Sequence, residues 1–150
     1  MSTVAEILEA ARARAKQNGL PYEGALLPAE AFELLKQSTK AVIIDVRSRA
    51  EWDFVGRIPG AVEIEWKSYP GMSANPRFAD ELKANVPQDA LAMFICRSGA
   101  RSHDSAAVAS RMGYATCFNV LQGFEGDRDS AGHRSTVGGW RAAGLPWMQS

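Results

Sequence analysis

The chain has 150 residues, 46% hydrophobic and 23% charged: enough apolar material for one core-bearing domain without metal or disulfide staples, and too much for a disordered chain. Its 17 basic and 17 acidic residues cancel, which excludes the basic excess of a protein that grips nucleic acid through its phosphates. No apolar run approaches the roughly 18 residues of a membrane span, and two cysteines are too few for a disulfide framework, so each is judged by its neighbours.

Ser2 to Gly19 predict a helix. Ser2 or Thr3 can cap it, Glu6 and Glu9 lie early, Arg12, Arg14 and Lys16 lie late, and Gly19 with Pro21 stops it. Ile7, Leu8, Ala11 and Ala15 give it a thin apolar stripe for packing. The segment lacks the apolar run and cleavage site of a secretory signal, and its acidic residues argue against a transit peptide, so the expected location is the cytoplasm. This helix and its connector, residues 1–23, are expected to precede an α/β unit over residues 24–150.

Beyond it, strand and helix alternate. Ala41–Ile44, Leu91–Ile95 and Thr116–Val120 are short continuous apolar runs, as strands buried on both faces of a parallel sheet should be, with Ala25–Leu26 and Ala61–Ile64 as weaker strands. Helices are predicted at Pro28–Gln37 and Pro76–Asn85, each opening on Pro, and at Ala100–Met112, which Gly113 stops. The spacing describes a wound α/β sheet. Gly123 to Gly139, rich in Gly, Asp, Ser and Arg, reads as a long loop.

The chemistry concentrates in Cys96-Arg97-Ser98-Gly99-Ala100-Arg101-Ser102, between a buried strand and a helix start. Ligands of open α/β sheets bind beyond the carboxyl ends of strands. A tight loop running into a helix there points several backbone N–H groups at one spot, and the helix adds its positive end. Gly99 supplies backbone freedom, and Arg97 and Arg101 supply two cations. A free thiol has a pKa of about 8.5, and such surroundings lower it; Cys96 is therefore expected to act as a thiolate nucleophile. A structural cysteine would gain nothing from flanking arginines at a strand end.

These residues and several others resemble the rhodanese-like sulfurtransferases in family order. Asp45-Val46-Arg47 follows a buried strand and leads to Glu51-Trp52. Gly56-Arg57-Ile58-Pro59-Gly60-Ala61 is similar to the family's G-H-I-P-G-A, with Arg57 where His is usual. After the Cys96 loop come Leu121-Gln122-Gly123 and Gly139-Trp140-Arg141-Ala142-Ala143-Gly144-Leu145-Pro146. The resemblance runs from about residue 24 to 148. It implies a parallel sheet of about five strands flanked by helices on both faces, and transfer of a sulfane sulfur through a persulfide on Cys96. The amides of Arg97, Ser98, Gly99, Ala100 and Arg101 would surround the outer sulfur, with Arg97 and Arg101 holding an anionic donor such as thiosulfate. Cyanide, a small thiol, thioredoxin or a sulfur-carrier protein are the acceptors the resemblance allows.

Two alternatives stand beside this reading. Phosphatases of the same fold carry one more residue between Cys and Arg, usually with His before the Cys; here four residues separate Cys96 from Arg101, Ser102 occupies the longer spacing, and Ile95 precedes the Cys. Non-catalytic binding domains of the family typically lack the cysteine. No metal-ligand cluster or nucleotide motif occurs, so no cofactor is expected.

Asp45, Arg47 and Ser102 are supporting residues in this reading, with Asp45 accepting hydrogen bonds that hold loops and Arg47 pairing with Glu51. Ser102-His103-Asp104 has the letters of a triad, but adjacent helical residues point apart; His103 is expected on the helix surface. Cys117 has apolar neighbours and reads as a structural thiol, and Trp52, Trp66, Trp140 and Trp147 as packing residues. The loop between Gly123 and Gly139 is longer than in ordinary rhodaneses and carries Asp127, Arg128, Asp129, His133 and Arg134; a lid, a partner-docking rim and a mobile surface loop remain open for it.

Overall fold

Each helix is delimited by its own end chemistry. In the structure, a computed structural model describing residues 2–68 and 70–149, α1 (Val4–Asn18) begins with a capping box between Thr3 and Glu6 and ends at Gly19 in left-handed conformation. α2 (Pro28–Gln37) opens on Pro, which needs no N–H there. α3 (Arg49–Phe54) has a second capping box, Ser48 with Glu51. α4 spans Phe78–Asn85 and α5 Ala100–Arg111. The sequence reading starts α4 two residues early, because Asn75 Oδ1 takes the Arg77 N–H and holds the chain in a turn before the helix.

Among the described residues seven strands lie between them: β1 (Gly24–Leu26), β2 (Ala41–Asp45), β3 (Val62–Glu63), β4 (Lys67–Ser68), β5 (Ser73–Ala74), β6 (Leu91–Ile95) and β7 (Cys117–Val120). β4 and β5 form a small antiparallel pair; the others make one sheet in the order β1-β7-β6-β2-β3, every pairing parallel. The five-stranded parallel sheet expected from sequence is present, whereas α3 and the β4–β5 pair were not anticipated.

Alternation along the strands feeds two cores. Ile43, Met93, Ile95, Phe118 and Val120 pack with Ile7 and Ala11 of α1 and Ala31 and Leu34 of α2. Their neighbours Ile44, Ala92, Phe94 and Cys117 pack on the other face with Phe78 and Leu82 of α4 and Ala106 and Ala109 of α5. Thus helices cover both faces, and each residue's parity along its strand decides which helices it meets.

Candidate active site

Cys96 lies one residue beyond β6 and continues its alternation. Like Ala92 and Phe94, it belongs to the face that α5 covers, so its side chain arrives at the α5 N-terminus. The Gly99 N–H donates to Cys96 Sγ at 3.1 Å, and Ser102 Oγ lies 3.3 Å from the sulfur. Gly99 achieves this at φ 115°, a conformation that side chains strongly disfavour. The first α5 bond runs from His103 N–H to Gly99 O, leaving the amides of Ala100, Arg101 and Ser102 without intrahelical acceptors, so the positive end of the helix is turned toward the sulfur. Cys96 is only 1% exposed, whereas Arg97 and Ala100 are exposed and Ser98 half-buried. The sulfur therefore sits at the base of a loop whose outer residues meet solvent.

A buried network braces the loop. Ser102 Oγ donates to Asn119 Oδ1 at 2.6 Å, and Asn119 Nδ2 donates to Gly99 O at 3.2 Å. Asn119, on β7, has the parity of Cys117 and faces α5. Sequence reasoning missed it, although a lone amide within the apolar Cys117–Val120 run was its signal.

The two arginines differ. Arg101 donates to both Glu51 carboxylate oxygens, at 2.6 and 2.9 Å, and clasps α3 to α5. Burial works against Glu51 ionising, yet Arg101 and Ser48 overcome it and bring the carboxyl down to about 2; burial likewise opposes the Arg101 charge, and Glu51 outweighs it. The Arg101 charge is thus neutralised locally. Arg97 forms no ion pair among the described residues and is the exposed cation of the loop.

Asp45 and Arg47 are fully buried against each other, with Arg47 Nη2 2.7 Å from Asp45 Oδ2 and donating also to Gly56 O at 2.8 Å. The expected Arg47–Glu51 pair does not form. Arg47 lies just past β2, where residues two apart share a face, so Asp45 is its neighbour, while Glu51 turns to Arg101. The Arg47 guanidinium also lies over the Phe124 ring, 4.1 Å from its centroid. These residues anchor the β2–α3 corner, and none of their hydrogen bonds reaches the Cys96 loop.

The segment from Gly123 to Gly139 is tied to the loop from outside. Phe124 N–H donates to Cys96 O at 2.8 Å, and the Glu125 and Gly126 amides donate to Arg97 O. A Cβ on Gly123 would stand 2.5 Å from the Arg97 carbonyl carbon, so glycine permits this approach. Farther out, Asp129 accepts from the Ala131 and His133 amides and the Thr136 hydroxyl, which hold its carboxyl below the usual carboxylate range. His103 is partly buried rather than a free surface residue, because Tyr22, 81 positions away in sequence, places its hydroxyl 2.7 Å from His103 Nδ1. Cys117 is fully buried and lies 3.2 Å from Tyr114 O; burial, with a smaller contribution from Glu23, pushes its thiol up to about 12.

Comparison with known proteins gives this geometry its class. The profile of the rhodanese-like domain matches residues 28–129. The crystal structure of Rv0390 from M. tuberculosis superposes with a TM-score of 0.80 and 41% identity, covering 86% of this chain and 99% of that one. An uncharacterized protein of Rickettsia rickettsii, the RP600 homolog, is 32% identical over 121 residues, 79% of this chain and 92% of its own length. The probable adenylyltransferase/sulfurtransferase MoeZ of Mycobacterium tuberculosis is 34% identical over 98 residues, 65% of this chain but 23% of that protein. The chain belongs to the rhodanese-like domain family. No helix among the described residues is long and apolar enough to cross a membrane.

Proposed function

We propose that this protein transfers a sulfane sulfur from a small anionic donor, thiosulfate, to a thiophilic acceptor through a persulfide on Cys96. The observation that carries this reading is the Gly99 amide at 3.1 Å from Cys96 Sγ, at the positive end of α5. The Cys96 thiolate attacks the outer sulfur of thiosulfate; the sulfur–sulfur bond of the donor breaks, its electron pair leaves with sulfite, and a new bond joins the sulfur to Cys96. An anion enters, an anion departs, and the sulfur left behind remains acidic, so amides, helix end and the Arg97 charge favour each stage. Arg101, committed to Glu51, acts by fixing the loop rather than by binding the donor.

The four-residue spacing from Cys96 to Arg101 supports a single sulfur over a phosphoryl group with its equatorial oxygens. The acceptor is a thiol, cyanide or a sulfur-carrier protein, and the two free cysteines suit a reducing cytoplasm. Initial rates of thiocyanate formation at varied thiosulfate and cyanide test the scheme. Parallel double-reciprocal lines are expected for a sulfur parked on the enzyme; intersecting lines, or hydrolysis of an aryl phosphate at a comparable rate, would overturn it.

A further inference from the structure

The Ser102 hydroxyl has one proton and three neighbours. Its Oγ lies 3.3 Å from Cys96 Sγ, 2.6 Å from Asn119 Oδ1 and 3.2 Å from Gly99 O, and Ser102 and Asn119 are both buried. A hydroxyl donates once and accepts through two lone pairs, whereas the two carbonyl oxygens only accept. Gly99 O already takes the His103 N–H at 3.1 Å and the Asn119 Nδ2 amide at 3.2 Å, which occupies both of its lone pairs. The second of these bonds also fixes the Asn119 amide, because the reverse orientation would set its oxygen against the oxygen of Gly99. Asn119 Oδ1 therefore faces Ser102, and the hydroxyl proton goes to it across the shortest of the three contacts. A proton turned to the sulfur instead would leave two acceptor oxygens 2.6 Å apart in a buried place.

We infer that Asn119 is a positioning residue that turns the Ser102 hydroxyl so that its oxygen, and not its proton, faces Cys96. The direction follows from hydrogen-bond geometry alone; its use rests on the sulfur-transfer reading above. In the sulfur-free protein the Cys96 S–H donates to Ser102 Oγ while the sulfur accepts from the Gly99 N–H. The two contacts pull in opposite directions: the amide favours the thiolate, and the hydroxyl oxygen favours the thiol. Cys96 attacks when sulfur is loaded and departs when it is unloaded, and a sulfur of low basicity leaves well but attacks poorly. By way of Ser102, Asn119 thus offsets part of the helix-end field and keeps the thiolate a strong nucleophile. The charges around the sulfur are Arg97 on its own loop and Arg101 on α5, with Glu51 of α3 held by Arg101, Asp45 of β2 by Arg47, and Glu125 by Arg141. His103 meets Tyr22, and β7 carries no charged side chain. Substitutions at Ser102 and Asn119 alter none of these groups, so a change in Cys96 titration reads the hydroxyl contact.

Ionisation of Cys96 is read from the ultraviolet absorbance of the thiolate as pH rises, each protein being referenced to its own Cys96→Ser counterpart. Ser102→Ala removes the acceptor of the S–H, so the midpoint should fall by about half a pH unit, the worth of one hydrogen bond. Loss of bracing alone would let the Gly99 amide drift from the sulfur and raise the midpoint, so the sign separates the two roles. In Asn119→Leu the hydroxyl is free to donate to the thiolate, and adding S102A to that variant should raise the midpoint instead. A midpoint that S102A raises or leaves unmoved in the otherwise wild-type protein overturns the inference, as does one that S102A lowers in both backgrounds. With the thiol fully ionised, sulfur uptake from thiosulfate should be roughly twofold slower in S102A, and an equal or faster rate overturns the proposed use. The titration needs no sulfur donor. Wild-type Cys96 that takes up no sulfur from thiosulfate therefore defeats the sulfur-transfer reading by itself, and the titration still decides the role of Asn119.

Discussion

Cys96 and Cys117 are both buried thiols on the α5 side of the sheet, carried by adjacent strands. Cys117 opens β7, opposite Ala92 near the start of β6, whereas Cys96 follows the last residue of β6. At the amino end of the sheet the neighbours are a carbonyl oxygen and apolar side chains, which hold the sulfur as a neutral thiol. At the carboxyl end the chain turns directly into a helix, and the neighbours are an amide donor and a positive dipole. One strand length separates a thiol held among apolar groups from one that an amide and a helix end address, so position along a parallel strand, more than depth of burial, sets a cysteine's surroundings here.

Exchanging the roles of the two thiols is the most severe way to break this contrast. Cys96→Ser should reduce thiocyanate formation to the uncatalysed rate. Cys117→Ala should retain the activity and lower stability by about 1 kcal/mol, read from the denaturation midpoint, as for other small core truncations. A Cys117 variant that loses turnover while remaining folded would erase the distinction.

Gly99→Ala sharpens the comparison at the loop itself. Its φ of 115° would cost an alanine roughly 1–2 kcal/mol, and relaxation would draw the amide away from the sulfur. The kcat/KM for thiosulfate should fall about tenfold. Arg97→Ala acts only through an exposed charge, so a few-fold rise in KM for thiosulfate is expected, together with a weaker dependence on ionic strength.

The smallest effect concerns stability. Glu51 titrates at about 2 in the folded protein, against an ordinary value of 4.5. A depressed carboxyl contributes stability that is fully present above the unfolded value and disappears as pH falls toward the folded one. Denaturation midpoints measured downward through that interval should decline in the wild type, and Glu51→Gln should flatten the decline.

Much of this architecture was legible in one sequence because buried parallel strands are continuous apolar runs and because Gly, Pro and capping residues mark the helix ends. The Cys96 loop was legible for a similar reason: cysteine, glycine and arginines are contiguous. The α3 helix was missed because its six residues are too few to establish a helical period. Arg47 meets Asp45 rather than the expected Glu51 because the backbone there is still extended and residues two apart share a face. Asn119 and the Tyr22–His103 pair join residues brought together only by the order of strands, and Glu51 meets Arg101 across 50 positions. Local pattern carries no record of such meetings.

Intact mass after incubation with thiosulfate and removal of the excess tests the central claim most directly. Wild-type and Cys117→Ala proteins should each gain the mass of one sulfur atom, and Cys96→Ser should gain none. Wild-type protein that returns unchanged, or an added sulfur that persists without Cys96, would contradict the account.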